Sequence, residues 1–320
     1  MPPGLRGRGV SAFGEVRRAV RAAVPTSAPV LVACSGGADS LALAAAAVRE
    51  LPLVSAAVVD HGLQDGSAQR AAATVHVLAG LGIPAAVHTV DVTGPGGIEA
   101  AARRARYTAL RAALPHPDSA VLLGHTLDDQ AETVLLGLGR GSGARSLAGM
   151  RTWDAPWLRP LLGVRRTVTR AACAELDLPV WDDPHNDDPR FTRVRLRHEV
   201  LPLLEDVLSG GVAASLARTA TQLREDVEAL DAVAAELLAG ARDGDALLVD
   251  RLAGTAPALR RRVLRSWLGV RGLTDTHLRA ADDLAAHGPD RGGVALPGGL
   301  ELVRAHGRLS VRPLDWARGR

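Results

Sequence analysis

Apolar positions in the first 140 residues fall into short continuous runs that alternate with segments of helical spacing. Val30 to Cys34 reads as a short buried strand and Ser40 to Arg49 as an Ala/Leu-rich helix. A second apolar run, Leu53 to Val59, leads into Asp60-His61-Gly62. The pattern then predicts a helix from about Ser67 to Leu81, a strand from Ala85 to Val92 and a helix from Glu99 to Leu114. A strand over Ala120–Leu123 and a helix over Asp128–Leu138 complete it. Strands alternating with helices predict an α/β fold, a doubly wound and mostly parallel sheet with helices on both faces. Ligands bind such sheets at the carboxyl ends of the strands. The chemically unusual residues fall there: Ser35–Ser40, Asp60-His61 and Gly124-His125.

The pattern changes beyond this point. Residues 139–200 are rich in Gly, Arg, Pro and acids. From Val212 the positions Leu216, Leu223, Val227, Leu230, Val233 and Leu237 step at close to a helical repeat, which predicts one long amphipathic helix. Helical segments around Ala258–Leu268 and His277–Ala286 follow, and apolar runs split by turns in GGVALPGGLELVRAHGRLSV predict a small hairpin or meander. The resulting expectation is a first domain over 1–208, a linker helix over 209–243, and a smaller, mainly helical domain over 244–320 ending in short strands.

Composition narrows the options. With 320 residues, 47% of them hydrophobic, and a formal net charge of +3, the chain is long and apolar enough for roughly two folded domains rather than disorder. Cys34 and Cys173 are the only cysteines, far apart in sequence, which argues against a disulfide scaffold, a CxxC pair or a four-thiolate zinc site. No long run of strongly apolar residues predicts a membrane span, and the opening MPPGLRGRGVSAFGEVRRAV lacks the apolar core of a signal peptide. The expectation is a soluble, cytoplasmic protein. The sequence contains no lysine, so all 38 basic residues are arginine. GC-rich coding is the plain cause, but a Walker A loop and Schiff-base catalysis are both removed. Anions must be held by guanidinium groups or backbone amides.

The strongest local signal is Cys34-Ser35-Gly36-Gly37-Ala38-Asp39-Ser40 between a strand and a helix. Two glycines let the backbone approach a pyrophosphate, and amides at a helix N-terminus supply positive potential. Ser40 can cap the helix or bind a phosphate oxygen, and Asp39 can orient a magnesium ion or the loop. As pure structure, SGG here is a tight turn. A set of carboxylates, Asp60, Asp128, Asp129 and Glu132, offers charge to hold an ammonium group and a base to deprotonate it. Asp128, Glu132 and Leu135 share a helical face, so two carboxylates are expected to project together toward the pocket. The competing reading is a helix cap at Asp128 and Asp129 that Glu132 completes.

The SGGADS segment resembles the SGGxDS signature of N-type ATP pyrophosphatases, which implies an adenine nucleotide alpha hydrolase-like fold and cleavage of ATP between its α and β phosphates. Four further stretches narrow the resemblance. These are Val59–Leu63, Glu99–Tyr107, then Gly124–Thr133 with Arg140–Gly143 and Leu147–Met150, and lastly Asp183–Asp187 with Arg193–Pro202. In this order and spacing they are similar to the tRNA(Ile)-lysidine synthase family. Thr126 departs from the pattern, since many members have a second histidine there.

The resemblance implies an enzyme that adenylates the wobble cytidine of an isoleucine tRNA with a CAU anticodon and then couples L-lysine at C2. It implies ATP and Mg2+, with the magnesium at Asp39. It places Asp39, Asp60, Asp128, Glu132 and Arg103 in catalysis, with Arg106 as an alternative to Arg103. Ser35, Gly36, Gly37, Ala38, Asp39, Ser40, His61, Gly124 and His125 would bind nucleotide. Arg190, Arg193, Arg195 and Arg197, beside the Arg140–Arg145 loop, are expected to meet tRNA backbone, with Arg260, Arg261, Arg262 and Arg265 a second surface in a tRNA-binding C-terminal domain. Tyr107, Trp153, Trp157 and Trp181 are the aromatics available for stacking. Whether the chain is a monomer or a homodimer stays open. Competing readings are a tRNA sulfurtransferase, disfavoured by the missing cysteine pair and by the position of Cys173, a small-molecule amidating ligase, and a non-enzymatic nucleotide or RNA sensor.

Overall fold

The computed structural model describes residues 11–24, 28–95, 97–141, 143–183 and 188–314, with Arg291 described by its backbone alone. Four sequence features noted above lie wholly or partly outside these residues: the segment 1–10, Ser142 of the Gly/Ser/Arg loop, and Pro184–Asp187 and residues 315–320. The chain divides into two compact units, Met1–Gln222 and Leu223–Arg320.

In the first unit the elements are α1 (Ala12–Ala23), β1 (Val30–Ala33), α2 (Ala38–Glu50), β2 (Val54–Asp60), α3 (Ser67–Gly80), β3 (Ala85–Thr89), α4 (Gly97–Ala112), β4 (Ala120–Leu123) and α5 (Leu127–Gly139). There follow α6 (Ala144–Leu147), β5 (Trp153–Asp154), β6 (Trp157–Leu158), α7 (Arg166–Glu175), α8 (Thr192–Arg195), a π-helical turn (Leu196–Val200) and α9 (Leu201–Val207). The strand order is β3-β2-β1-β4-β6-β5, parallel except for the terminal β5–β6 pair. Central β1 and β4 are buried on both faces, as all-apolar VLVA and AVLL require. Chain direction reverses across the sheet at β1, so the crevice between the carboxyl ends of β1 and β4 is the topological switch point.

One sheet face is covered by α1, α2 and α7, whose core includes Val16, Val20, Leu41, Leu43, Ala172 and Cys173. The other holds Leu31, Leu110, Val121, Leu123 and Trp157, with Tyr107 and Leu114 packed on it. Two of these helices were not anticipated. Ser11 caps α1 by accepting from the Gly14 amide, and Val16 and Val20 bury its inner face one turn apart. Helix α7 takes up RTVTRAACAE, within the stretch 139–200 that is rich in Gly, Arg, Pro and acids.

The helix predicted from Val212 is α10, Val212–Ala241, and the boundary between the compact units falls within it. Its Ala213 packs with Ala131 and Leu201 in the first unit, and its Ala234 and Ala241 belong to the core of the second. The second unit continues with β7 (Arg242–Asp243), β8 (Ala246–Leu248), α11 (Pro257–Leu268), α12 (Asp275–His287), β9 (Arg291–Leu296), β10 (Leu300–Ala305) and β11 (Arg308–Pro313). Its antiparallel sheet has the order β7-β8-β11-β10-β9. The terminal meander matches the expectation, and the β7–β8 hairpin extends it. Helices α11 and α12 pack through Val263, Leu264, Ala281 and Leu284 on Leu302 and Leu309. No single helix among the described residues is long and apolar enough to cross a membrane.

Candidate active site

The loop from Ser35 to Ser40 joins β1 to α2 at the switch point. Ser40 Oγ accepts from the Ser35 amide at 3.1 Å and donates to the Gly37 carbonyl at 2.9 Å, which closes the loop on itself. Gly36 has φ +83°, and a Cβ there would lie 2.6 Å from Thr74 Oγ1. Gly37 has φ −77°, and its Cβ would meet only ordinary contacts. The two glycines therefore differ: the fold itself requires Gly36, while Gly37 leaves space on the cleft side. Gly124 lets β4 approach the start of α2, since its Cβ would lie 3.1 Å from the Asp39 carbonyl carbon and the Ser40 amide.

Two cavities meet at this loop, of about 360 and 570 Å³, and both are lined by Ala33, Ser35, Gly37, Arg106, Trp181 and Asp183. The first extends along β2 to Ala57, Val58, Asp60, His61, Leu63 and Ala71. The second holds Ala38, Asp39, Ser40, Gly124, His125, Asp129, Arg166, Arg170, Arg197 and His198. Of the expected nucleotide-binding residues, all but Gly36 line one cavity or both. Gly36 shapes the wall from behind, its carbonyl accepting from the Trp181 amide at 3.0 Å.

Asp39 lies between α2 and α7. Its Oδ1 accepts from the Thr169 hydroxyl, and its Oδ2 is 3.4 Å from Arg166 Nε. Burial raises its pKa above the ordinary carboxyl value, and Thr169 and Arg166 offset this only in part. Arg166 also reaches Asp129 at 2.7 Å and Glu132 at 3.4 Å, and Arg197 Nε binds Glu132 at 2.9 Å. Glu132 has 0% exposure. Burial opposes the charge on Asp129, but Arg166 and the Thr126 donors prevail and hold its carboxyl below the usual range.

This geometry corrects the expected carboxylate grouping. Asp60 ends β2 in the first cavity, where its carboxylate accepts from the Gly62 amide at 2.9 Å, apart from the others. Asp128 turns away from the cavities and accepts from the Arg166 amide at 2.7 Å while pairing with Arg165 at 3.1 Å. It serves the start of α7, and Glu132, fully buried behind Arg166 and Arg197, lines neither cavity, so neither Asp128 nor Glu132 projects into the pocket. The capping box of α5 is Thr126 with Asp129, without Glu132. Asp129 is thus both cap and cavity wall. Arg103 lines neither cavity; it stacks on Tyr107 at 4.9 Å, whereas Arg106 faces both cavities.

His61 Nδ1 and His125 Nδ1 are buried without a partner among the described residues. Burial pushes the His125 pKa down to about 3 against the pull of Asp129, with Arg106, Arg159 and Arg103 lowering it further. Burial and then Arg106 also lower the pKa of His61. Both rings are therefore held toward the neutral form. No group of three or more His, Cys, Asp or Glu residues suited to a metal occurs among the described residues.

Cys173 is closer to the loop than its sequence position suggested. Its Sγ lies 3.3 Å from the Ala38 carbonyl, and burial pushes its thiol up to about 11. Burial also raises Cys34. Both thiols are protonated and inert as nucleophiles.

In the arginine run, Arg193 forms no ion pair among the described residues, and the other three have acidic partners. Arg190 pairs with Asp188, Arg195 with Glu199, and Arg197 turns inward to Glu132. In the second unit Arg260 is buried against Asp282 at 2.5 Å and Arg262 pairs with Asp231, which leaves Arg261 and Arg265 of that surface. The sequence reading also passed over Arg166, Thr169 and Arg170. The signal was present in Val168, Ala172 and Cys173 at helical spacing, with polar residues between them.

Residues 14–204 match the family described as PP-loop domain, and residues 247–310 match the TilS substrate binding domain. A tRNA(Ile)-lysidine synthase of Rhodococcus erythropolis is 57% identical over 306 residues, covering 92% of this chain and 94% of that protein. One from Mycolicibacterium paratuberculosis is 60% identical over 273 residues, 84% of each chain. Among solved structures, the U34-tRNA thiolase NcsA from Methanococcus maripaludis with its [4Fe-4S] cluster superposes with a TM-score of 0.56 at 20% identity, over 67% of this chain and 80% of that one, a likeness of fold. The switch-point loop, the paired cavities and relatives aligned over most of the sequence agree: the chain belongs to the tRNA(Ile)-lysidine synthase family.

Proposed function

We propose that this protein is an ATP-dependent ligase that forms a carbon–nitrogen bond between L-lysine and C2 of the wobble cytidine in an isoleucine tRNA with a CAU anticodon. The observation that carries the reading is the continuity of the two cavities across the Ser35–Ser40 loop, with apolar walls at one end and a charged cage at the other. Ala33, Ala57, Val58, Leu63 and Ala71 suit an adenine, with the triphosphate directed onto the loop amides and the N-terminus of α2. The cytidine O2 attacks the α-phosphorus and diphosphate leaves. Arg106, common to both cavities, faces the charge that develops there.

The cage supplies the second half of the reaction. Asp39, Asp129 and Glu132 carry three negative charges against the two positive charges of Arg166 and Arg197. The net negative charge draws cations to the cage, and a lysine ammonium fits beside Asp129. Asp129, on the cavity wall, holds the ammonium and accepts its proton, freeing the nitrogen to attack C2 as AMP departs, while buried Glu132 sets the positions of Arg166 and Arg197. Mg2+ binds through one or two carboxylates plus substrate phosphates; Asp39, partly exposed beside the loop, fits as that carboxylate, and the ion would neutralise phosphate charge. Discrimination and binding of the tRNA body fall to the second unit in this reading.

Incubation with ATP, labelled lysine and a CAU isoleucine transcript, followed by nucleoside mass analysis, tests the whole. Lysidine should form only when all three are present. A thiolated nucleoside, an amidated small molecule or lysine-independent product would refute it.

A further inference from the structure

Helix α4 carries Arg103, Arg104, Arg106 and Arg111 against one acid, Glu99. None of these four arginines forms an ion pair among the described residues, in contrast to Arg190, Arg195 and Arg197. A further guanidinium, Arg159, follows β6. It is 6% exposed, donates through Nη1 to the Arg151 carbonyl at 2.8 Å, and its Nε has no partner among the described residues. Of these, Arg106 faces both cavities, and Arg103 and Arg159 stand near enough to lower the His125 pKa with it.

Aromatic surface lies beside Arg103 and Arg111. The Tyr107 and Trp157 rings meet edge to face at 4.5 Å, with Arg103 4.9 Å over the first and Arg111 5.7 Å over the second. Tyr107, Thr108, Arg111, Ala112 and Trp157 line a shallow depression of about 520 Å³. Arg103 and Arg111 are two helical turns apart, about 12 Å along α4. Arginines alternating with aromatic faces, with no acid among them, suit a single strand of nucleic acid: phosphates pair with guanidinium groups and a base stacks between them.

We propose that α4 forms a track for the RNA strand flanking the target cytidine, with Arg103 and Arg111 taking phosphates and the Tyr107–Trp157 depression taking one base. This rests on the RNA-modifying function above and moves the main phosphate contact away from the Arg190–Arg197 run.

The test uses the full chain and the CAU isoleucine transcript, with binding measured across a salt series. Arg103→Gln with Arg111→Gln should weaken RNA binding tenfold or more and flatten the slope of log affinity against log salt by about 1.4, two single-strand phosphate contacts at about 0.7 each. Tyr107→Ala should lose at least fivefold, while Tyr107→Phe stays within twofold of wild type. ATP affinity within twofold of wild type reports that each variant is folded. Unchanged RNA affinity and salt slope in the variants, with wild type binding normally, overturn the track and leave the depression to a protein partner. A wild type that does not bind the RNA overturns the functional reading and this one with it.

Discussion

The two adjacent glycines of the loop give a sharp test, because the structure assigns them different reasons for being glycine. Gly36→Ala places a side chain at φ +83°, which costs about 1–2 kcal/mol, and drives its Cβ to within 2.6 Å of Thr74 Oγ1. The hydroxyl is held by its bond to the Arg70 carbonyl at 3.0 Å, so relief requires a shift of α3, and overpacking adds about 1–3 kcal/mol. The total is about 2–5 kcal/mol. Gly37→Ala keeps φ at −77° and meets Ser35 Oγ at 3.7 Å, an ordinary contact. Its expected cost is the weaker N-cap, about 1 kcal/mol or less. Urea unfolding without nucleotide should separate the two by at least 1 kcal/mol, while ATP titration should show Gly37→Ala losing affinity out of proportion to its stability, because the methyl enters the cleft. Thr74→Ala should recover the steric part of the Gly36→Ala loss but not the backbone part, giving a favourable coupling of about 1 kcal/mol or more in a double-mutant cycle. Equal destabilisation by the two glycine substitutions, or no coupling to Thr74, would refute the reasoning.

Two further outcomes follow from the charged cage and the buried histidine. Glu132→Gln should raise the lysine KM tenfold or more with ATP affinity little changed, whereas Asp128→Asn, acting at the start of α7, should cost stability and leave lysine KM within about threefold; steady-state kinetics showing equal rises would count against this division. His125, held at about 3 when folded and near 6.5 when unfolded, binds its proton more readily in the unfolded chain, so its contribution to stability is full above pH 6.5 and is lost as pH falls toward 3. The loss is about 2 kcal/mol by pH 5, and His125→Gln should remove that part of the pH dependence in unfolding experiments at fixed salt.

The parallel sheet was legible because its signals are local. VLVA and AVLL are apolar at every position, as strands buried on both faces must be, and SGGADS places its glycines and cap within six residues. Helix α7 was obscured by neighbours: arginine-rich and proline-rich flanks diluted the Val168, Ala172, Cys173 spacing, and its first turn is capped not from its own sequence but by Asp128, 38 residues earlier. That one long-range bond explains two misreadings together, since the same carboxylate was expected in the pocket.

The arginines make the general point. Arg197, Arg195 and Arg103 look alike in sequence, each one guanidinium in a basic helical stretch. Their roles are set by what stands across from them: a buried Glu132 for the first, Glu199 one turn along for the second, and for the third an aromatic ring with no acid. An i,i+4 partner can be read from spacing. A partner 65 residues away cannot, nor can the lack of one. In a chain without lysine, counting positive residues therefore measures only how much charge is present. The charge free to meet RNA is what remains after the fold has matched the rest, and among the described residues of the first unit the densest group left unmatched lies on α4.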